Sequence, residues 1–320
     1  MLFALHQCSV ASASFASAGQ AMIEVAIISF ISEHVSMPIC ELLGIDAADS
    51  TTPTFYTASL NDDINVTIES ATFGRRITRN IKIKLNGNVE QTENILKTLY
   101  HWCNNNADND NEMKKEQQQE EEKQEKQEKP LQWCVDANCA WTPTLALEML
   151  NILKPYKDII CMVEQPFPVK TTHGTNVATN EGQKIVDEWC YVKKMYNSEG
   201  LPIFADESMR NVSDINSLIP LVNGINIKLE KCGGYIGALK IAQMARKVKL
   251  DLWIGCMVGS TLNGNGAAQL AGMKGIVGSD LDGSALVTDE CQSWLKGGFQ
   301  FINSGITVSK ERYGLNLQVV

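Results

Sequence analysis

From residue 51 onward, short runs rich in Val, Ile, Thr and aromatic residues alternate with stretches whose apolar residues recur at helical spacing. That alternation points to a parallel array of β/α units rather than a sandwich. The strand-like runs are Thr54–Leu60, Thr78–Leu85, Leu131–Asp136, Ile160–Glu164, Ile203–Asp206, Gly224–Leu229, Leu252–Cys256 and Gly278–Asp282. Eight such strands suggest a closed barrel, and the segments Thr92–Cys103, Thr144–Leu153, Gln183–Met195 and Ile236–Val248 suit its outer ring of helices. At 320 residues and 44% hydrophobic content the chain can bury one core of that kind, which typically uses about 250 residues.

Two segments stand apart from the alternation. Residues 1–50 are helical in pattern, with a buried helix expected over Ala21–Ile31 and a stop at Leu43 and Gly44, and they hold too little to build a separate core. Residues 104–130 are a polar low-complexity insertion, expected to be disordered or frayed-helical and to lie on the face of the barrel away from the strands' C-terminal ends. The net charge of -9 argues against a nucleic-acid partner. The first Lys or Arg is Arg75, so no basic targeting segment is legible, and Ala21–Ile31 is too short and too interrupted to span a membrane. Ten cysteines without CxxC pairs read as free thiols in a reducing compartment, and a cytoplasmic location is expected. Four histidines without HxH or HxxxH spacing give no histidine-based zinc site.

Carboxylates stand at the ends of three successive strands: Asp136 in CVDAN, Glu164 in MVEQPFP and Asp206 in IFADES. Any one of them alone would read as a helix cap or turn former. Side chains at the C-terminal ends of neighbouring barrel strands converge, however, so the three together can surround one hard cation such as Mg²⁺. Lys82 and Lys84, in IKIKL, share one strand face while Ile81, Ile83 and Leu85 share the other. In a barrel the apolar face meets the helices and both lysines point into the mouth, where like charge and burial are expected to lower a lysine pKa toward that of a general base. Lys228, in GINIKLEKCGG, lies on the sixth strand and faces them across the ring; Lys231 beside it reads as a bystander. Asp280 and Asp282, in GSDLDG, share one side of the last strand and could clamp a cationic group, form an Asx-turn, or hold a second metal.

In order and spacing these residues (KxK, DxN, ExP, DE, K and DxD) resemble the enolase superfamily, and within it the muconate-lactonizing subgroup, over roughly residues 20–315. The final DxD is similar to that of dipeptide epimerases of the L-Ala-D/L-Glu type. The resemblance implies a TIM-like (β/α)7β barrel over residues 51–320, preceded at 1–50 by the helical remnant of an α+β capping domain. It further implies one Mg²⁺ per subunit held by Asp136, Glu164 and Asp206, and Lys84 and Lys228 as the two bases. Thr57, Lys82, Cys256, Val258, Asp280 and Asp282 would contact substrate, with Cys256 and Val258 on the peptide unit and the two aspartates on its terminal ammonium. Asn138 and Glu207 would support the ligands. Gly259 stands where the family's GCMxES segment has Glu, which alters the side-chain specificity to be expected.

The function so implied is that of an isomerase, a dipeptide epimerase that removes and returns an α-proton through a Mg²⁺-stabilised enediolate. The same scaffold also serves cycloisomerases and dehydratases, of the muconate cycloisomerase or o-succinylbenzoate synthase type, and a third alternative is a non-catalytic truncated barrel. The partner expected is a small dipeptide substrate rather than nucleic acid or membrane, and a homo-oligomer is compatible with the sequence.

Overall fold

The computed structural model describes residues 17–105, 131–173, 179–288 and 293–320. In chain order its strands are β1 (Asp49–Pro53), β2 (Tyr56–Ala58), β3 (Ile81–Lys84), β4 (Trp133–Asp136), β5 (Ile160–Glu164), β6 (Ile203–Ala205), β7 (Gly224–Ile227), β8 (Asp251–Gly255), β9 (Ile276–Asp280), β10 (Leu295–Gly297), β11 (Gln300–Ile302), β12 (Gly305–Thr307) and β13 (Leu317–Val319). Among the described residues β2 to β9 form one eight-stranded sheet in sequential order, and every neighbouring pair is parallel. A parallel bridge between Thr54 and Ser279, with the Phe55 amide donating to the Ser279 carbonyl at 3.0 Å, joins the last strand to the first. The sheet is therefore the (β/α) barrel expected, and each of the eight strand-like runs contributes one strand.

Helices Val89–Asn105, Pro143–Leu153, Asn180–Ser198 and Tyr235–Lys247 correspond to the four segments with helical spacing. Local chemistry starts them: the Thr142 hydroxyl accepts from the Leu145 amide at 3.2 Å ahead of Pro143, and the Thr179 hydroxyl accepts from the Gly182 amide at 3.1 Å. Their inner faces, such as Trp189, Val192 and Tyr196, join the outward-facing strand residues Ile81, Ile83 and Val135 in one continuous core. A second cluster, of Phe55, Cys134, Met162, Phe204 and Trp253, fills the barrel interior beneath the mouth.

The sequence did not announce β1 or β10 to β13. β1 pairs with β12, and β12 with β11, in an antiparallel sheet, while β10 pairs with β13. The N-terminal helix Ser17–Val35 extends beyond the expected Ala21–Ile31 and is not buried all round. Ala21, Glu24, Ile28 and Ser32 face the protein, whereas Met22 and Phe30 are each 69% exposed. The physical reason is position: the helix lies on the outside of the barrel, against the segment Leu229–Cys232, which covers one face only. The stop falls where expected, the short helix Ile39–Leu42 ending at Gly44 with φ +69°. The insertion expected at 104–130 lies outside the described residues from 106 onward, between the helix ending at Asn105 and the approach to β4. Among the described residues no helix is long and apolar enough to cross a membrane, and all eight described cysteines are free thiols.

Candidate active site

Register builds the site. Lys84 pairs with Asp136, and Asp136 with Glu164, so three charged side chains from β3, β4 and β5 stand at one level of the mouth. Glu164 pairs with Phe204, and Asp206 follows two residues later on the same side of the strand. The alternation on β3 works as its sequence requires: Ile81 and Ile83 join the outer core, while Lys82 is 2% exposed inside the barrel. Lys228, four strands further round, caps the start of the short helix Leu229–Cys232.

Ion pairs tie these groups together. The Lys82 ammonium contacts Glu164 and lies 2.7 Å from Asp280 and 3.2 Å from Asp136. Lys84 reaches Asp136 at 2.7 Å, and Lys228 reaches Asp206 at 2.7 Å. Lys231, read above as a bystander, also pairs with Asp206 and donates to the Asp206 and Asn226 carbonyls at 2.5 and 3.0 Å. Among the described residues, then, four ammoniums (Lys82, Lys84, Lys228, Lys231) face five carboxylates (Asp136, Glu164, Asp206, Asp280, Asp282), all five of them buried.

The electrostatics differ from the sequence-based expectation. Burial does press Lys82 toward its neutral form, but Asp280, Glu164 and Asp136 outweigh it, and the pKa is raised well above the ordinary lysine value. Lys228 is raised in the same way, with Asp206 overcoming the cost of burial. The expectation of a lowered pKa counted the like charges on one strand and left out the carboxylates of the neighbouring strands. Asp136 and Asp206 are buried too, yet their lysine partners hold both carboxyls below the usual range. Glu164 behaves oppositely: burial, with the neighbouring Asp136, Asp206 and Asp280 acting against the help of Lys82, pushes it up to about 8.

That contrast tests whether the trio suits a metal. Among the described residues no three His, Cys, Asp or Glu side chains stand at metal-sharing spacing, since Asp136 and Asp206 are turned onto lysines. The donor chemistry does fit: three buried carboxylates at adjacent strand ends offer hard oxygen ligands, each now met by a lysine ammonium.

Other side chains complete the mouth. Asn226 donates to Glu164 at 2.6 Å and to Asp280 at 3.4 Å, and the Trp253 indole donates to Asp280 at 2.6 Å. Asn226 was legible in principle, since it lies two residues before Lys228 and shares its strand face. Asp282 accepts from the Thr57 amide at 2.5 Å. The Asn138 amide donates to Asp136 at 2.9 Å and its side chain to Glu207 at 3.4 Å, which links both residues to the β4 end of the mouth. At Gly255 on β8 a Cβ would stand 2.7 Å from Asn226 Oδ1, 2.8 Å from Asp280 Oδ1 and 2.9 Å from Lys228 Cε, so any larger residue would displace these three side chains. Cys256 is buried and Val258 is 63% exposed. Val258, Met257, Lys231, Glu230 and Arg210 line a cavity of about 540 Å³ beside the mouth.

Comparison with known proteins follows the same residues. Residues 74–277 match the family model described as enolase C-terminal domain-like. An enolase superfamily member from Dictyostelium discoideum is 35% identical over 308 residues, 95% of this chain and 65% of that protein. An L-Ala-D/L-amino acid epimerase from a Maribacter species is 32% identical over 154 residues, 48% of this chain and 39% of that protein. The chain thus spans less than two thirds of the length of either relative. Among solved structures, a dipeptide epimerase from Enterococcus faecalis V583, complexed with Mg and the dipeptide L-Leu-L-Tyr, superposes with a TM-score of 0.72 at 26% identity, covering 98% of this chain and 76% of that one.

Proposed function

Since this chain belongs to the enolase C-terminal domain-like family, we propose that it is an isomerase, a Mg²⁺-dependent dipeptide epimerase that inverts the α-carbon of the substrate's C-terminal residue with Lys84 and Lys228 on opposite faces. The observation that carries the reading is the placement of those two lysines four strands apart on an eight-stranded ring, with Asp136, Glu164 and Asp206 on the strands between them. Similarity to epimerases supports it.

Asp136, Glu164 and Asp206 would hold the cation, whose chemistry is to stabilise the negative charge that builds on the substrate carboxylate as the α-proton leaves. The chain's own groups do the rest. Lys84, part-exposed at the rim, removes or returns a proton on one face, and Lys228 does so on the other. Lys228 is held protonated by Asp206, so in this arrangement it is poised to deliver a proton. Lys82, buried among Glu164, Asp280 and Asp136, fixes the positive potential at the floor of the mouth. Asp282, just past β9, is better placed than Asp280 to take the substrate's ammonium, because Lys82, Trp253 and Asn226 already occupy Asp280. Cys256 and Val258 flank the position for the peptide unit, next to the 540 Å³ cavity.

The test is incubation of the protein with Mg²⁺ and a pool of L-Ala-Xaa dipeptides in D₂O. Deuterium at the α-carbon of the C-terminal residue, with both diastereomers appearing from either, is the expected result. Absence of exchange across the pool would defeat the epimerase reading.

A further inference from the structure

The first turn of the helix Tyr235–Lys247 has no cap of its own. Its N-cap residue is Gly234, which carries no side chain. The missing acceptor comes from far away in sequence: Glu24, on the N-terminal helix, accepts from the Ile236 amide at 2.8 Å and also bonds the backbone of Tyr235. A carboxylate suits that position, because the free amides and the helix dipole both favour negative charge there. Glu24 is 4% exposed, so this contact is part of the packed interior.

The bend just before that helix fits the same face. Gly233 and Gly234 take φ values of +80° and +114°, and a Cβ on Gly234 would meet Glu24 Cδ at 2.7 Å. A Cβ on Gly233 would meet Gln20 Cδ at 3.1 Å. Gln20 and Glu24 lie one turn apart on a single helix face, so together they seat the bend. Immediately upstream is the four-residue helix Leu229–Cys232, with Lys228 as its N-cap and Lys231 as its third residue. Both lysines converge on Asp206.

We propose that Glu24, assisted by Gln20, is a positioning residue that holds Lys228 and Lys231 over Asp206 by fixing the Gly233–Gly234 bend. The N-terminal helix is on this view a working part of the barrel mouth, acting on one of its two lysine pairs. Lys82 and Lys84 stand on β3, where strand register fixes them instead.

Acetic anhydride labelling of the free protein, with each lysine followed by peptide mass spectrometry, tests this without any substrate. Glu24→Ala is expected to raise the labelling rates of Lys228 and Lys231 about fivefold, the factor that loss of one helix cap corresponds to, and to leave Lys82 and Lys84 as they were. Glu24→Gln, which keeps the acceptor oxygen, restores the original rates. Should Glu24→Ala fail to fold, Gln20→Ala reports a smaller rise at the same two lysines. Unchanged labelling of Lys228 and Lys231, or an equal rise at all four lysines, overturns the proposal. The catalytic counterpart rests on the epimerase reading: with L-Ala-Xaa dipeptides in D₂O, Glu24→Ala should lose exchange on the Lys228 face and keep it on the Lys84 face. Failure of all dipeptides to exchange would sink that reading while leaving the labelling result to decide this one.

Discussion

The two lysine pairs at the barrel mouth carry the same charges but are placed by different means. Lys82 and Lys84 sit two residues apart within β3, held by parallel neighbours on both sides, and their ammoniums meet Asp136, Glu164 and Asp280. Lys228 and Lys231 sit three apart where β7 gives way to a single helical turn, and both meet Asp206. The first pair is set by strand register in the middle of the parallel sheet. The second depends on a glycine bend and on a helix from the other end of the chain. A mouth built this way has one face set by strand register and another that distant packing can tune.

Replacing the two proposed bases tests that comparison with the largest effect. Lys84→Ala and Lys228→Ala should each lower net epimerisation by about 10²–10⁴-fold, since inversion needs both faces. Each variant should still wash deuterium into one stereoisomer, and the two should choose opposite isomers by NMR or chiral chromatography. Retention of the same isomer by both would show that the pairs do not serve separate faces.

Asp206→Asn comes next. Asp206 partners both lysines of the β7 pair and belongs to the proposed ligand trio, so its loss should weaken Mg²⁺ binding at least about tenfold by calorimetry. Unaltered affinity would place the cation elsewhere. Gly255→Ala should follow at about 1–3 kcal/mol of lost stability in thermal unfolding, because the added methyl meets Asn226, Asp280 and Lys228 at once. Since Lys228 lies on that side, exchange on its face should fall more than on the Lys84 face.

The sequence showed the register-set half of this mouth far better than the other half. The period-two alternation of IKIKL fixes which way Lys82 and Lys84 point once the strand is in a barrel. Strand-end carboxylates are legible for the same reason. Lys231 was not, because nothing in a sequence shows that a single helical turn will fold a lysine back over Asp206. Glu24 was harder still: a lone acidic residue in an apolar helix shows no partner when that partner is an amide more than two hundred residues away. The terminal strands β10 to β13 are three residues each, and they pair with each other or with β1 through contacts no local pattern records. The lysine pKa expectation failed for a related reason, since the charges that decide it lie on other strands.

The smallest predicted effect concerns Glu24 as a titrating group. Burial raises its carboxyl above the ordinary value of 4.5, against the opposing pull of the Ile236 and Tyr235 amides and of Lys240. Cys232 and Tyr235 also face it, both as groups that stay neutral over the relevant range. The unfolded chain releases this proton near 4.5, whereas the folded protein holds it to higher pH. In that window the folded state binds more protons, and stability contributed by Glu24 is full below about 4.5 and declines as pH rises through the raised value. Glu24→Gln removes the titration but keeps the acceptor for Ile236. The melting temperature of Glu24→Gln relative to the wild type should therefore climb as pH is raised from 4 to 7. A difference that stays flat across this range would mean that the carboxyl ionises as readily inside the protein as outside it, and that burial of Glu24 against the Gly234 bend is looser than its contacts imply.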